Sequence, residues 1–216
     1  MSSLSRALLG EFFGTALLLA AIVGSGIMGA NLAAGNDAIT LLANSAATAA
    51  ALVVLITLIA PLSGAHFNPL VTLMHWAKGL LPRSHVWGYL VAQFSGGIAG
   101  VLLVHAMFEQ TLVQSGTKPR ASLGLWLSEF VATLILLSVV RACQGASPLR
   151  SAVLVSLTVF AGYWVTSSTF FANPAVTFAR AFTESFAGIQ LRDVPAFLGA
   201  QLLALGVLLY ACKTRR

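Results

Sequence analysis

Charge is what this chain has least of. Twelve Lys and Arg and six Asp and Glu make up 8% of its 216 residues, against 58% hydrophobic residues. A soluble domain carries about 25% charged residues, so that class is excluded and an integral membrane protein is implied. Two cysteines, Cys143 and Cys212, cannot build a disulfide scaffold. The four histidines lack metal-ligand spacing, so no metal site is expected. There is no nucleotide-binding motif, no nucleophile or acid pair of an enzyme site, and no cofactor is implied. The excess of cations forms no basic face on a nucleic-acid-binding fold, which argues against a nucleic-acid partner.

What the chain does have is apolar length. Six segments are long enough to cross a hydrocarbon core of ~30 Å, which takes about 20 helical residues. They lie near 5–29, 38–61, 84–108, 122–144, 149–169 and 193–213. Glu11 interrupts the first, and no cleavage site follows it, so it reads as a span rather than a secretory signal. Arg6, Lys78, Arg83, Arg141, Arg150, Lys213, Arg215 and Arg216 fall on one side, leaving Lys118, Arg120, Arg180 and Arg192 on the other. The cation excess places both termini in the cytoplasm and the chain in the inner (plasma) membrane. Both cysteines then lie near cytoplasmic helix ends, where a structural disulfide is not expected.

Three landmarks recur in order. Glu11-Phe12-Phe13-Gly14-Thr15 returns as Glu129-Phe130-Val131-Ala132-Thr133, 118 positions on; His66-Phe67-Asn68-Pro69-Leu70-Val71-Thr72 is matched by Phe171-Ala172-Asn173-Pro174-Ala175-Val176-Thr177, 105 on; and Ala92-Gln93 by Ala200-Gln201, 108 on. Polar residues that recur with their neighbours indicate a duplication, with a first repeat over 1–110 and a second over 122–216 in one domain of 1–216. Each repeat holds three spans, an odd number, so the second enters the membrane from the opposite face and the repeats are inverted.

Each Asn-Pro heads a helix, because Asn caps and Pro fits the first turn. Residues 68–78 and 173–183 make only about 16 Å of helix each, half a membrane. The two heads are expected to meet near the midplane as one pseudo-span. The non-helical runs before them, 63–67 and 167–172, survive at that depth only beside a water-filled path. Their carbonyls would be its acceptors and the Asn68 and Asn173 amides its donors, with the positive ends of both helix dipoles aimed there. Such a path suits neutral hydroxylated solutes in single file and opposes cations. Glu11 and Glu129 read as acceptors for the loop backbone, and Gln93 and Gln201 as interhelical hydrogen-bonding groups. The small residues Gly96, Gly97, Gly100, Ala200, Ala204 and Gly206 suit close helix crossings. A secondary transporter also uses inverted repeats, but it needs a buried carboxylate site near the break, and the residues beside Asn68 and Asn173 offer none.

Together the Glu-x-x-x-Thr of spans one and four, Ser63-Gly64-x-His66-x-Asn68-Pro69 and Asn173-Pro174-Ala175 resemble the major intrinsic protein family, the aquaporins and aquaglyceroporins. The resemblance covers essentially the whole chain. It implies an all-α membrane fold of six spans and two re-entrant half-helices, a homotetramer with one pore per protomer in the lipid bilayer, and no enzymatic activity. It also implies a central constriction at Asn68, Pro69, Leu70, Asn173, Pro174 and Ala175.

Two departures from the family pattern stand out. Leu70 replaces the usual Ala and is bulkier. Val176 replaces the Arg that usually follows the second Asn-Pro-Ala and walls the outer selectivity filter. The family's spacing adds Thr48 and Phe170 to that filter, and a fifth-span residue among Ala161, Gly162 and Tyr163. His66 is expected in the inner vestibule. Arg180 is expected as an outer vestibule cation paired with Glu184, with a reach back toward the filter as the alternative. Loss of the filter Arg resembles bacterial members associated with arsenic handling. It implies a wider, more apolar gate for uncharged arsenicals, with glycerol, urea and water as further solutes and a water-selective channel as the alternative.

Overall fold

The computed structural model describes residues 2–213, so Arg215 and Arg216 of the cation count lie outside the described residues. Among the described residues eight α-helices follow one another: α1 Ser3–Leu32, α2 Asp37–Ser63, α3 Pro69–Ala77, α4 Arg83–Met107, α5 Leu123–Ala142, α6 Pro148–Val165, α7 Pro174–Ala179 and α8 Val194–Lys213. Six are long and apolar enough to cross a membrane, and α3 and α7 are the short ones. Large apolar side chains such as Leu58, Val91, Leu127 and Leu203 stand exposed on the outside of the bundle. A helix that is apolar on every side belongs in hydrocarbon.

Local chemistry sets the helix ends. Asn36 accepts from the Ala38 and Ile39 amides to start α2, and Ser122 and Ser147 cap α5 and α6 in the same way. The fifth expected span, 149–169, ends early, at Val165. Thr166 turns extended, and its hydroxyl accepts from the Phe170 amide, so residues 166–173 leave the helix to form a loop. The second half-helix is also shorter than 173–183. It runs as α-helix only to Ala179 and tightens into a 3-10 turn over Arg180–Phe182.

Helices α1 and α4 cross at backbone contact. A Cβ on Gly96 would lie 2.3 Å from the Phe12 carbonyl oxygen and one on Gly100 2.1 Å from that of Ala16, so only glycine permits the crossing. Gly206 differs from the expectation: open space surrounds it, and it makes no close crossing. Leu19, Val23, Val101 and Val104 fill the core beside that crossing, while α5 packs on α8 and α2 on α6.

Candidate functional site

The two Asn-Pro helices meet head to head. Asn68 Oδ1 caps α3 by accepting from the Leu70 amide at 2.9 Å, and Asn173 Oδ1 caps α7 by accepting from Ala175 and Val176 at 3.0 and 3.3 Å. Each amide nitrogen then crosses to the other half. Asn68 Nδ2 donates to the Ala172 carbonyl at 2.9 Å, and Asn173 Nδ2 to the Phe67 carbonyl at 2.8 Å. An amide NH2 carries two hydrogens, so each Asn keeps one donor beyond this clasp.

The loops leading into the clasp share an unusual backbone. Ala65 and Phe67 have φ of 49° and 48°, and their counterparts 105 positions on, Phe170 and Ala172, have 55° and 47°. Non-glycine residues at positive φ cost roughly 1–3 kcal/mol each and persist only where surrounding contacts fix them. Two buried glutamates supply those contacts. Glu11 accepts from the Ser63 hydroxyl at 2.6 Å, the His66 and Phe67 amides at 2.9 and 2.7 Å, and Gln93 Nε2 at 2.8 Å. Glu129 accepts from the Phe171 and Ala172 amides at 3.0 and 2.9 Å and from Gln201 Nε2 at 2.7 Å. Gln93 and Gln201 also donate to the Thr72 and Thr177 hydroxyls, each at 2.9 Å. With loop N–H groups tied back to the glutamates, the carbonyls are left to face elsewhere.

The loops border a cavity of about 530 Å³ whose wall includes Gly64, Ala65, His66, Phe67, Asn68, Phe170 and Phe171. At the end shared with the start of α1 and the end of α8 it is bordered by Leu80, His75, Cys143 and the 144–146 turn; toward the other end by Thr48, Tyr163, Val176 and Arg180. Leu52, Ile56, Leu136 and Val159 make the intervening wall apolar. Asn173 does not border this cavity, and neither do Pro69, Leu70, Pro174 or Ala175.

Leu70 therefore departs from its expected place in the constriction. It is fully buried and packs with Met74, Leu137, Leu205 and Leu208 behind α3, where its bulk fills the bundle. Of the fifth-span candidates Ala161, Gly162 and Tyr163, the one that borders the cavity is Tyr163, whose hydroxyl lies 3.4 Å from Thr48 Oγ1. Gly162 sits behind it: a Cβ there would fall 2.2 Å from the Phe170 ring, so its hydrogen makes room for that ring.

Arg180 is not the exposed, Glu184-paired cation that was expected. It is 2% exposed, its Nε donates to the Ala187 carbonyl, and its guanidinium carbon lies 3.4 Å from the Phe171 ring centroid. Glu184 accepts from Thr117 instead. The 3-10 turn after α7 carries Arg180 inward, where the 183–190 loop folds back and Ile189 N–H donates to the Arg180 carbonyl at 3.2 Å.

Sequence reasoning passed over two neighbours. Arg120, 5% exposed, donates to the Gly188 and Ser168 carbonyls at 3.0 and 3.1 Å, and its guanidinium carbon lies 4.8 Å from the centroid of the same Phe171 ring. Burial pushes its guanidinium down to about 10. His75 is the other: its ring centroid lies 4.4 Å from that of His66, so the two rings flank the inner part of the cavity. Among the described residues no group of three or more His, Cys, Asp or Glu side chains could hold a metal, and Cys143 and Cys212 are free thiols.

This fold is that of a known class of membrane channel. The family model "MIP: Major intrinsic protein" matches residues 1–169, and the chain belongs to that family. It is 48% identical over 202 residues to "Aquaglyceroporin AqpS" of Rhizobium meliloti (strain 1021), covering 93% of this chain and 85% of that protein. It is 28% identical to the "Glycerol uptake facilitator protein" of Haemophilus influenzae, covering 91% and 87%. The crystal structure of the aquaglyceroporin from Plasmodium falciparum superposes with a TM-score of 0.63 over 94% of both chains at 18% identity, a likeness of fold. The chain is thus an integral membrane protein of the aquaglyceroporin type.

Proposed function

We propose that the chain forms a passive pore for small uncharged solutes, with uncharged arsenicals, arsenite and its methylated forms, as the leading cargo and glycerol, urea and water as further passengers. The observation that carries this reading is Val176 in the cavity wall, one residue past Asn173-Pro174-Ala175, where it offers an apolar surface and no charge. An apolar wall lowers the desolvation demand on a solute that carries methyl groups or a large polarisable centre. Arsenous acid is a neutral trihydroxy molecule and meets the same donors and acceptors as glycerol. The names of two relatives, an aquaglyceroporin and a glycerol facilitator, support the polyol part of this reading.

In this proposal Asn68 borders the middle of the path, and Asn173, clasped to the Phe67 carbonyl, braces it from behind, with Pro69, Pro174 and Ala175 setting the two helix heads. Thr48, Tyr163, Phe170 and Val176 form the outer filter with Gly162 behind Phe170, His66 lines the inner vestibule, and Glu11 and Glu129 support the loops. The repeats are inverted, four protomers assemble with one pore each, and both termini face the cytoplasm of the inner membrane.

The test is stopped-flow light scattering on proteoliposomes, comparing water, glycerol and urea, with direct uptake of arsenite and methylarsenite. Rapid arsenical and glycerol entry is expected, and Val176→Arg is expected to suppress the larger solutes while water still flows. Wild-type protein that passes water alone would overturn the larger-solute reading and leave a water channel gated at Phe170 and Tyr163.

A further inference from the structure

Arg180 is a cation with no carboxylate in contact and with donors to spare. Among the described residues no carboxylate oxygen lies within 4.0 Å of its guanidinium or of that of Arg120; the acidic groups nearby are otherwise engaged, Glu129 with the Phe171 and Ala172 amides and Gln201, Glu184 with Thr117, and Asp193 with the Arg120 amide and Arg192. The Nε of Arg180 is spent on the Ala187 carbonyl, and the plane lies over Phe171. Its two terminal nitrogens find no acceptor among the described residues, and the side chain borders the cavity. Burying a guanidinium without acceptors costs several kcal/mol, so the free edge has a stabilising environment only where polar molecules reach it through the cavity.

The neighbours of that edge are specific. Val176 is one helical turn inward on α7, and Phe170, Phe171 and Tyr163 share the same end of the cavity. Arg120 lies on the same Phe171 ring, fixed by two backbone carbonyls, and adds a second positive charge from outside.

We propose that Arg180 is the solute-contacting cation of the outer filter. Its terminal nitrogens donate to one or two oxygens of a neutral hydroxylated solute while the carbon or methyl side of that solute slides over Val176 and the phenylalanine rings. Arg180 and Arg120 together set the positive potential that turns back cations and hydronium. The site is then wide because residue 176 is small, yet still cation-tight because the charge sits one turn outward. Its ligand class is a small neutral molecule with acceptor oxygens on one side and apolar surface on the other. The inference rests on the pore reading above.

The test reconstitutes the full chain as wild type, Arg180→Gln and Arg180→Lys in proteoliposomes and reads glycerol flux, water flux and proton leak with an entrapped pH dye under a potassium-valinomycin potential. Arg180→Gln is expected to raise proton leak by about tenfold or more, since a unit charge at contact range biases cation entry by at least that factor. Arg180→Lys is expected to stay proton-tight, because the charge remains, and to lower the glycerol-to-water flux ratio severalfold, because the paired donors are gone. Arg180→Gln that conducts glycerol with wild-type proton tightness overturns the proposal. Should Arg180→Gln fail to fold, Arg180→Lys decides: a wild-type glycerol-to-water ratio overturns the donor role. A wild type that passes neither water nor glycerol sinks the pore reading itself, an outcome distinct from variants that match a conducting wild type.

Discussion

Replacing Glu11 with Gln removes one oxygen and one charge from the group that ties down the first re-entrant loop. Glu11 accepts four hydrogen bonds: two from backbone amides at positive-φ or adjacent residues, one from Ser63 and one from Gln93. A Gln side chain keeps a single oxygen. If it stays with His66 N–H and Ser63, the new NH2 faces the Phe67 amide and Gln93. Gln93 can turn, because its own Oε1 has no partner, and offer that oxygen. The Phe67 N–H cannot, since the strained backbone aims it at the glutamate. One buried amide is orphaned, at about 1–3 kcal/mol, and the charge-assisted bonds that remain weaken to neutral ones. The loss should total about 2–4 kcal/mol. Thermal unfolding of the detergent-solubilised protein, followed by circular dichroism, should show Tm lowered by about 5–15 °C. Glycerol flux should fall with it, because the freed loop no longer keeps its place in the cavity wall. A variant with unchanged Tm and flux would refute the argument, by showing that Glu11 is a neutral acid in the native protein or that the loop is held by other contacts.

Leu70→Ala should cost about 2–5 kcal/mol of stability through the cavity it leaves among Met74, Leu137 and Leu205, yet leave the glycerol-to-water ratio unchanged, as read by unfolding and stopped-flow side by side. Gly162→Ala should displace the Phe170 ring, 2.2 Å from the added methyl, and change solute selection at the outer filter while water flow persists; identical flux ratios would detach Phe170 from the filter. Gly100→Val should prevent recovery of monodisperse protein, because the Ala16 carbonyl occupies the space its Cβ needs.

The spans, the caps and the Asn-Pro heads were legible in the sequence because each depends on local chemistry. Apolar runs fix the spans to within a few residues except where Thr166 ends α6, a hydroxyl-to-amide closure that hydropathy does not register. The role of the buried glutamates was legible too: a carboxylate inside an apolar span has to find donors, and unpaired loop amides are the donors such a fold has in surplus. The direction of a side chain was not legible. Leu70 occupies the position after Asn-Pro, as Ala175 does, and only the packing of α3 on α5 and α8 shows that it faces the bundle. His75, at the end of α3, meets His66 only because the half-helix runs back along the loop that precedes it.

Arg180 shows the limit most clearly. Spacing alone places it one turn beyond Val176 and four residues before Glu184, and an exposed i,i+4 pair is the natural reading of such a helix. That reading assumes the helix continues. Here α7 stops at Ala179, the chain tightens at Arg180, and the loop that returns at Ala187 takes the Nε. The cation is thereby brought inside by a loop sixty-odd residues of chain away from Arg120, whose own burial depends on the same loop through the Gly188 carbonyl. Two arginines that look like surface charges in the sequence become neighbours on one phenylalanine because a single segment, 183–190, supplies the carbonyls that hold both. Such a convergence has no period or motif for a sequence to display.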